Sequence, residues 1–131
     1  MKITVDTNVL VRAVVQDDPM HTQQATAVLL EASLIAVTMP SLCELVWVLR
    51  KVYGFKVADV AQAIRALIAT ANVEMNRPAA AAGLAMLEAG GDFADGVIAY
   101  EGNWLGGETF VSFDKKAVAR LLAQGQSARL L

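Results

Sequence analysis

The stretch Lys2-Ile3-Thr4-Val5-Asp6 decides the fold of this chain. Ile3 and Val5 alternate with polar residues, a period that predicts a short β-strand, and Asp6 places a carboxylate directly after it. Further along, short apolar segments alternate with longer segments whose apolar residues recur at helical spacing. Strands separated by helices in this way predict βαβ units and the central, mainly parallel sheet of an α/β fold.

Residues that begin or end secondary structure locate most of the other elements. Asp18-Pro19 supplies an N-cap followed by proline at the first helical position. Pro40 opens another helix that Gly54 ends, and Gly90-Gly91 separates two further helices, the second of which begins at Asp92. We predict strands at residues 3–5, 35–38, 73–75, 109–112 and 128–131, and helices that begin near residues 18, 40, 57, 78, 92 and 117.

The composition fits a single domain that spans residues 1–131. Its apolar fraction of 56% exceeds the usual value of about 45–50%. We therefore expect a partner, such as a second copy in a homodimer, to cover part of the surface. No run of about 18 uncharged apolar residues exists, so we predict no membrane span. The single cysteine excludes an internal disulfide and fits a reducing compartment, which predicts a cytoplasmic protein.

The net charge of −2 constrains any interaction with nucleic acid. Proteins that bind nucleic acid through phosphate contacts are normally basic. A chain of this charge that acts on nucleic acid must therefore offset its own acids with a bound cation or with local basic side chains. Candidate phosphate contacts are Arg12 and Lys115, followed by Arg50, Lys51 and Lys116; ordinary solvated surface charges are the alternative.

Several acidic residues follow predicted strands or lie in early turns of predicted helices: Asp6, Glu44, Asp92, Asp95 and Asp114. In parallel sheets the carboxyl ends of the strands meet at one edge, where ligands bind. Two carboxylates about 5 Å apart repel by roughly 3 kcal/mol at an effective dielectric of about 20. A cluster of them therefore requires raised pKa values or a bound cation. Oxygen ligands favour Mg²⁺ or Mn²⁺, whereas the single histidine, His21, and the single thiol, Cys43, do not favour zinc.

Each acid also has a purely structural explanation. Asp92 suits an N-cap, and together with Asp95 it resembles a capping box. Asp114 suits the cap of the last helix, and Glu44 suits a solvated helix position, although the apolar residues after Glu44 leave little exposed surface. Asp6 is hardest to explain in this way, because a carboxylate that ends a core strand is seldom without a function.

Four short motifs follow one another along the chain: Val5-Asp6-Thr7-Asn8-Val9-Leu10, then Glu44 after Pro40-Ser41, then Asp92-Phe93-Ala94-Asp95-Gly96-Val97-Ile98-Ala99, then Ser112-Phe113-Asp114. This ordered set resembles the PIN-domain ribonucleases, and within them the VapC toxins of bacterial type II toxin–antitoxin modules. The segment from Asp6 to Pro19 is especially similar, and the resemblance spans essentially the whole chain. It implies a three-layer α/β/α sandwich around a central, mainly parallel sheet of four or five strands, often in a dimer.

The resemblance also implies an activity, a metal-dependent endoribonuclease. The catalytic, metal-holding residues that it implies are Asp6, Glu44, Asp95 and Asp114. Asp92 is implied as a further metal ligand, and Asn8 and Ser112 as residues that support the carboxylates. One or two Mg²⁺ or Mn²⁺ ions would bind the scissile phosphate and activate a water for in-line attack. Family members cleave RNA, commonly tRNA or rRNA at one site, and a cognate antitoxin often inserts an arginine-bearing C-terminal segment into the acidic pocket.

The chain departs from the family pattern in the helix after Asp95. It carries Gly96 and Gly102 where alanines are usual. Each glycine costs about 1 kcal/mol relative to alanine in a helix interior. From the sequence alone we therefore expect Asp95 to be held less firmly than in its relatives.

Two other functions remain open. A non-catalytic α/β module could bind a partner protein through apolar residues, and Trp47, Trp104 and Phe93 are candidate anchors, although they serve equally well as core. An aspartate-based phosphatase would need a second aspartate two residues after Asp6. This chain has Asn8 there, so the sequence favours the nuclease.

Overall fold

The computed structural model describes all 131 residues of the chain. The residues divide into two units, Met1–Asn76 (unit 1) and Arg77–Leu131 (unit 2). Each unit has its own helices and its own set of parallel strands. No helix in either unit combines the length and the apolar character needed to cross a bilayer.

Unit 1 contains three parallel strands and four helices. The strands are β1 (Lys2–Thr4), β2 (Leu34–Ala36) and β3 (Val73–Glu74), and the helices are α1 (Thr7–Val15), α2 (Pro19–Glu31), α3 (Met39–Lys51) and α4 (Val57–Ile68). The strand order is β1-β2-β3, with Ile3 opposite Ile35 and Ile35 opposite Val73. The buried side chains of α3 and α4 that build the core with these strands are Leu42, Leu45, Val46, Leu49, Val60 and Ile64.

The predicted starts of two helices in unit 1 are confirmed. Asp18 caps α2, where its carboxylate accepts a hydrogen bond from the His21 N–H at 3.2 Å, and Pro19 begins the helix. Pro40 lies in the first turn of α3, where proline lacks only an N–H that the helix would leave unpaired. Gly54 follows the end of α3 with φ of +67°, a conformation that glycine adopts at little cost.

The sequence does not predict helix α1. Its first half is rich in β-branched residues, which favour strands, and it follows a strand almost directly. The Asp6 carboxylate accepts a hydrogen bond from the Thr7 N–H at 2.8 Å and caps the helix. Thr7, Leu10 and Val11 are then buried on one face. The cap and the burial of this face together outweigh the local strand preference.

Unit 2 contains three helices and two strands. They are α5 (Arg77–Glu88), α6 (Phe93–Trp104), β4 (Phe110–Ser112), α7 (Lys115–Ala123) and β5 (Ala128–Leu130). Strands β4 and β5 pair in parallel, with Val111 opposite Arg129, and α7 is the crossover between them. The face of α7 that is buried carries Ala117, Val118 and Leu121.

Helices α5 and α6 pack closely because each has a glycine at the contact. A Cβ at Gly83 of α5 would lie 2.7 Å from the ring of Phe93, which is a core side chain with 1% exposure. A Cβ at Gly96 of α6 would fall on the carbonyl oxygen of Ala82 in α5. Gly96 therefore lets the two helix backbones meet, which is a packing role. That Asp95 is held less firmly than in its relatives stays a prediction.

The predicted α/β class with parallel strands is confirmed. All five predicted strands are present, three of them paired within unit 1 and two within unit 2, as expected for an α/β sandwich with parallel strands. The single domain over residues 1–131 stays a prediction.

Candidate metal centre

In unit 1, Thr7 connects the two acids that were predicted to bind metal. Asp6 caps α1 through its Oδ1, and Glu44 lies on α3. The buried Thr7 hydroxyl donates to Glu44 Oε2 at 3.4 Å, with the carbonyl oxygen of Ser41 also 3.5 Å away. A single buried hydroxyl therefore joins the first turn of α1 to α3, next to both carboxylates.

Asp6 and Glu44 line the same small cavity of unit 1. Its volume is about 220 Å³, and its lining residues are Asp6, Thr7, Asn8, Val11, Arg12, Glu44 and Val48. Both acids are exposed. Glu44 is more accessible than its apolar neighbours suggested, and Trp47 beside it on α3 is also 57% exposed. Unit 1 thus brings together two of the four predicted catalytic acids.

In unit 2, Asp92 and Asp114 each cap a helix with one carboxylate oxygen. Asp92 Oδ1 accepts a hydrogen bond from the Ala94 N–H at 3.1 Å at the start of α6. Asp114 Oδ1 accepts from the N–H groups of Lys116 and Ala117 at 2.9 and 3.1 Å at the start of α7. The capping interpretation of both residues is confirmed. The second oxygen of each carboxylate makes no hydrogen bond within the chain and stays available to another ligand.

The two predicted supporting residues take different positions. Ser112 Oγ accepts a hydrogen bond from the Asp114 N–H at 2.9 Å, which orients the residue that caps α7. Asn8 is exposed and lines the cavity that contains Asp6, without a side-chain hydrogen bond to either acid. The hydrogen bond of Ser112 fits its predicted supporting role. Asn8 lines the predicted site but contacts neither carboxylate by a hydrogen bond.

Two of the five predicted phosphate contacts, Arg12 and Arg50, already have a partner. Arg12 Nη1 pairs with Asp17 Oδ1 at 2.9 Å, on the wall of the Asp6 cavity. Arg50 Nη1 donates to the carbonyl oxygen of Phe55 at 2.8 Å. Lys115 is exposed in the first turn of α7. Lys51, Lys115 and Lys116 are exposed without a side-chain partner within the chain, and Lys115 stands next to Asp114.

Asp95 differs from the capping acids because neither of its carboxylate oxygens has a hydrogen-bond partner. It is half-buried in the first turn of α6, and the bond back to the Asp92 N–H that a capping box requires is absent. Burial raises the pKa of Asp95 above its ordinary value of 3.8, and the charges of Asp92 and Asp114 raise it further. The charge of Arg120 opposes these effects. The acids of unit 2 therefore act on one another electrostatically.

The donor chemistry of both sets of acids fits a hard divalent cation. Burial and two like charges disfavour ionised Asp95, so a cation bound there would relieve an existing electrostatic cost. Carboxylate oxygens are the ligands that Mg²⁺ and Mn²⁺ prefer. The only histidine, His21, pairs instead with Asp18 at 2.8 Å. Neither unit by itself contains three or more His, Cys, Asp or Glu side chains arranged to hold a metal ion. That the acids of both units share an ion stays a prediction.

Sequence reasoning missed Thr7 and Arg120. Thr7 lies between Asp6 and Asn8 in the first motif, but nothing in the sequence shows that its hydroxyl reaches Glu44, 37 residues away. Arg120 lies in the last turn of α7 with the appearance of an ordinary surface cation. The sequence offers one local indication of the position of Arg120: the glycines at positions 90 and 91, before α6, leave room for a neighbouring side chain.

A protein-family model described as the PIN domain matches residues 3–121. The chain belongs to the PIN-domain family. PIN domains are generally nucleases that depend on divalent metal ions, so the chain has the fold of a metal-dependent nuclease. The match covers all five acids of the predicted site, from Asp6 to Asp114. No curated protein and no solved structure matches the chain significantly.

Proposed function

We propose that this PIN domain is an endoribonuclease and the toxin of a VapC-type toxin–antitoxin pair. It hydrolyses RNA phosphodiester bonds with Mg²⁺ or Mn²⁺ held by an acidic quartet of Asp6, Glu44, Asp95 and Asp114. Asp92 supplies a further carboxylate oxygen beside Asp95. The single cysteine fits a reducing compartment, and we propose that the protein acts in the cytoplasm.

The main support for this proposal is that Asp95 is partly buried and has no hydrogen-bond partner. An aspartate that only supported the fold would use its oxygens in a cap or an ion pair, as Asp92 and Asp114 use theirs. Asp95 instead keeps both oxygens free in a half-buried position where its charge is disfavoured. Such an arrangement costs stability and is typical of sites that need the charge for a ligand. In a metal-dependent nuclease family, the ligand that fits is a divalent cation.

The residues of the chain divide the work of holding the ion and the substrate. When bound, the ion supplies positive charge for the scissile phosphate and for the charge that develops on oxygen during hydrolysis. Asp6 and Asp114 are oriented in advance, because backbone N–H groups hold one oxygen of each. Thr7 orients Glu44 through its hydroxyl, and Ser112 orients Asp114. Lys115, next to Asp114, is free to contact the RNA backbone.

Exposed apolar side chains support the partner assignments. In unit 2, Trp104, Leu105 and Phe113 are 81%, 86% and 80% exposed. Exposed large apolar residues mark protein–protein interfaces, so we propose that Trp104 and Leu105, adjacent at the end of α6, lie in a homodimer interface. The free acidic oxygens suit a basic side chain of the antitoxin, because a guanidinium binds carboxylates strongly.

Cleavage of total RNA by wild type, Asp6→Asn and Asp95→Asn, with and without Mg²⁺, tests the nuclease. We expect cutting by the wild type only with the metal, and a loss of at least about 100-fold in each variant, the scale of losing a group that stabilises developing charge. Asp59→Asn is the matched control, since Asp59 is an exposed aspartate in the first turn of α4. It should cut like the wild type.

Circular dichroism must show that each variant is folded before its activity is compared. Equal cutting by wild type and both active-site variants would remove the nuclease proposal. The toxin role has a separate test, because co-expression of a neighbouring small open reading frame should restore growth that the wild type inhibits. Inhibition without rescue by any neighbour would leave a nuclease that is not a toxin.

A non-catalytic binding module is the second candidate, and the exposure of Trp47 and Trp104 favours it. The two functions differ in their need for metal. Calorimetry with millimolar Mn²⁺ at neutral pH should show binding that Asp95→Asn weakens. Absence of Mn²⁺ binding to the wild type would favour the binding module.

A further inference from the structure

Arg120 carries a positive charge among the acids of unit 2 but has no ion-pair partner. The proposed function above does not use it. No carboxylate oxygen lies within 4.0 Å of its guanidinium, and its side chain makes no hydrogen bond. It is nevertheless near enough to Asp95 to act on that carboxylate electrostatically. The fold therefore places a cation beside the acidic set without pairing it.

The backbone before α6 fixes where the Arg120 side chain runs. A Cβ at Gly91 would lie 2.9 Å from Arg120 Cδ and 2.5 Å from Met86 Sδ, so only glycine leaves room for the arginine stem. A Cβ at Gly90 would lie 3.7 Å from Arg120 Nη2, so the guanidinium end reaches the adjacent residue. The stem is thus confined against Gly90 and Gly91, directly before the Asp92 cap.

Arg120 is half-buried as a residue, and its side chain gains no hydrogen bond within the chain. Its five N–H donors form a planar fork that matches the two oxygens of a phosphate. Hydrogen bonds between charged groups of this kind are roughly twice as strong as neutral ones. A nucleic-acid phosphate that lies beside the acids of unit 2 would accept hydrogen bonds from these donors.

We propose that Arg120 is a binding residue for the RNA backbone, and that its guanidinium contacts a phosphate next to the acidic site. The contact explains how an acidic chain holds an anionic polymer beside its own carboxylates. This inference rests on the proposed function, because it assumes that RNA is the substrate. It extends that function by naming a substrate contact on α7, held in place by Gly90 and Gly91.

Binding of a fluorescein-labelled single-stranded oligoribonucleotide of mixed sequence tests the contact. Fluorescence anisotropy is measured with Mg²⁺ in an Asp6→Asn background, which should not cut the probe and which keeps every residue of unit 2. Arg120→Met should weaken binding about tenfold, the scale of removing a hydrogen bond between charged groups. The slope of log affinity against log salt should fall in magnitude by about 0.7, because the variant neutralises one phosphate fewer.

Arg129→Met is the matched control, because Arg129 is an exposed arginine of β5 with no partner within the chain. It removes the same charge from the same unit and should change affinity by less than about twofold. Arg120→Lys keeps the charge and loses the fork, so about threefold weaker binding is expected. If a thermal unfolding test shows that Arg120→Met does not fold, the affinity of Arg120→Lys is compared with that of Arg129→Met instead.

Equal affinities and equal salt slopes for Arg120→Met and Arg129→Met would overturn the proposal, and Arg120 would then serve only as a cation at the C-terminal end of α7. Absence of probe binding in the Asp6→Asn background would overturn it as well. The nuclease and the phosphate contact can fail separately. RNA cleavage by the wild type together with equal binding of the two variants supports the nuclease and refutes a phosphate contact at Arg120. A selective loss of affinity in Arg120→Met without cleavage by the wild type leaves an RNA-binding protein.

Discussion

Replacement of Gly96 by alanine should destabilise the protein, although alanine is the better helix former. The added Cβ would fall on the Ala82 carbonyl oxygen and come within 2.9 Å of both the Ala82 carbonyl carbon and Met86 Cβ. These atoms belong to the backbone of α5 or lie next to it, so no flexible side-chain end can move aside. Helices α5 and α6 would have to separate to make room.

The expected magnitude follows from two opposing effects. Insertion of a methyl group into a closely packed contact costs typically about 1–3 kcal/mol, and more where backbone must move. The gain from helix propensity is about 1 kcal/mol. We expect a net loss of about 2 kcal/mol, or a Tm lower by about 8 °C for a domain of this size.

Gly102→Ala is the matched control in the same helix. A Cβ at Gly102 has nothing within 4 Å, so only the propensity gain of about 1 kcal/mol should appear. Urea unfolding of both variants measures the difference, which should be about 3 kcal/mol in favour of Gly102→Ala. Equal stability of the two variants would refute the packing role of Gly96. Because Asp95 precedes Gly96, Mn²⁺ binding should weaken in Gly96→Ala and persist in Gly102→Ala.

Other predictions concern the acids, the buried hydroxyl and the apolar surface. Asp95→Asn should stabilise the metal-free protein at pH 7 by less than about 1 kcal/mol, since the side chain is only half-buried. Because the pKa of Asp95 is raised in the folded state, the wild type loses stability as the pH rises through that pKa. The stability advantage of Asp95→Asn should therefore vanish below pH 3.8, which unfolding measurements at several pH values would show. An advantage that grows at low pH would contradict this. Thr7→Val should leave Glu44 without its hydrogen bond and weaken Mn²⁺ binding by about threefold to tenfold by calorimetry; Thr7→Ser, which keeps the hydroxyl, should bind as the wild type does. Trp104→Ser should lower the dimer fraction in analytical ultracentrifugation, and an unchanged sedimentation coefficient would place the interface elsewhere.

Helix starts were the most predictable part of the fold, because they depend on a few adjacent residues. Asp18-Pro19 begins α2 and Asp92 caps α6, as the sequence indicates. The same local reasoning missed α1, whose β-branched residues resemble a strand. Its helical character depends on the burial of Leu10 and Val11, a tertiary effect that local preference does not include.

A helix cap does not use up the carboxylate of Asp92 or Asp114. From the sequence, Asp92 and Asp114 had to be assigned either to a cap or to a metal. The structure shows that each cap uses a single oxygen and leaves the other free. Only Asp95 keeps both oxygens free, and the motif alone does not distinguish it from Asp92.

The sequence by itself determined the order of the five strands and of six of the seven helices, the α/β class and an oxygen-only set of candidate ligands. It could do so because periodicity, caps and residue types are local properties. Only the tertiary structure decided that Thr7 reaches Glu44, that Gly96 meets Ala82 and that Arg120 runs unpaired beside the acids of unit 2. These facts depend on which distant side chains meet and how much water they exclude. The free-energy cost of a charged carboxylate or guanidinium depends on its burial and on the charges around it in the folded protein. The sequence alone does not give these.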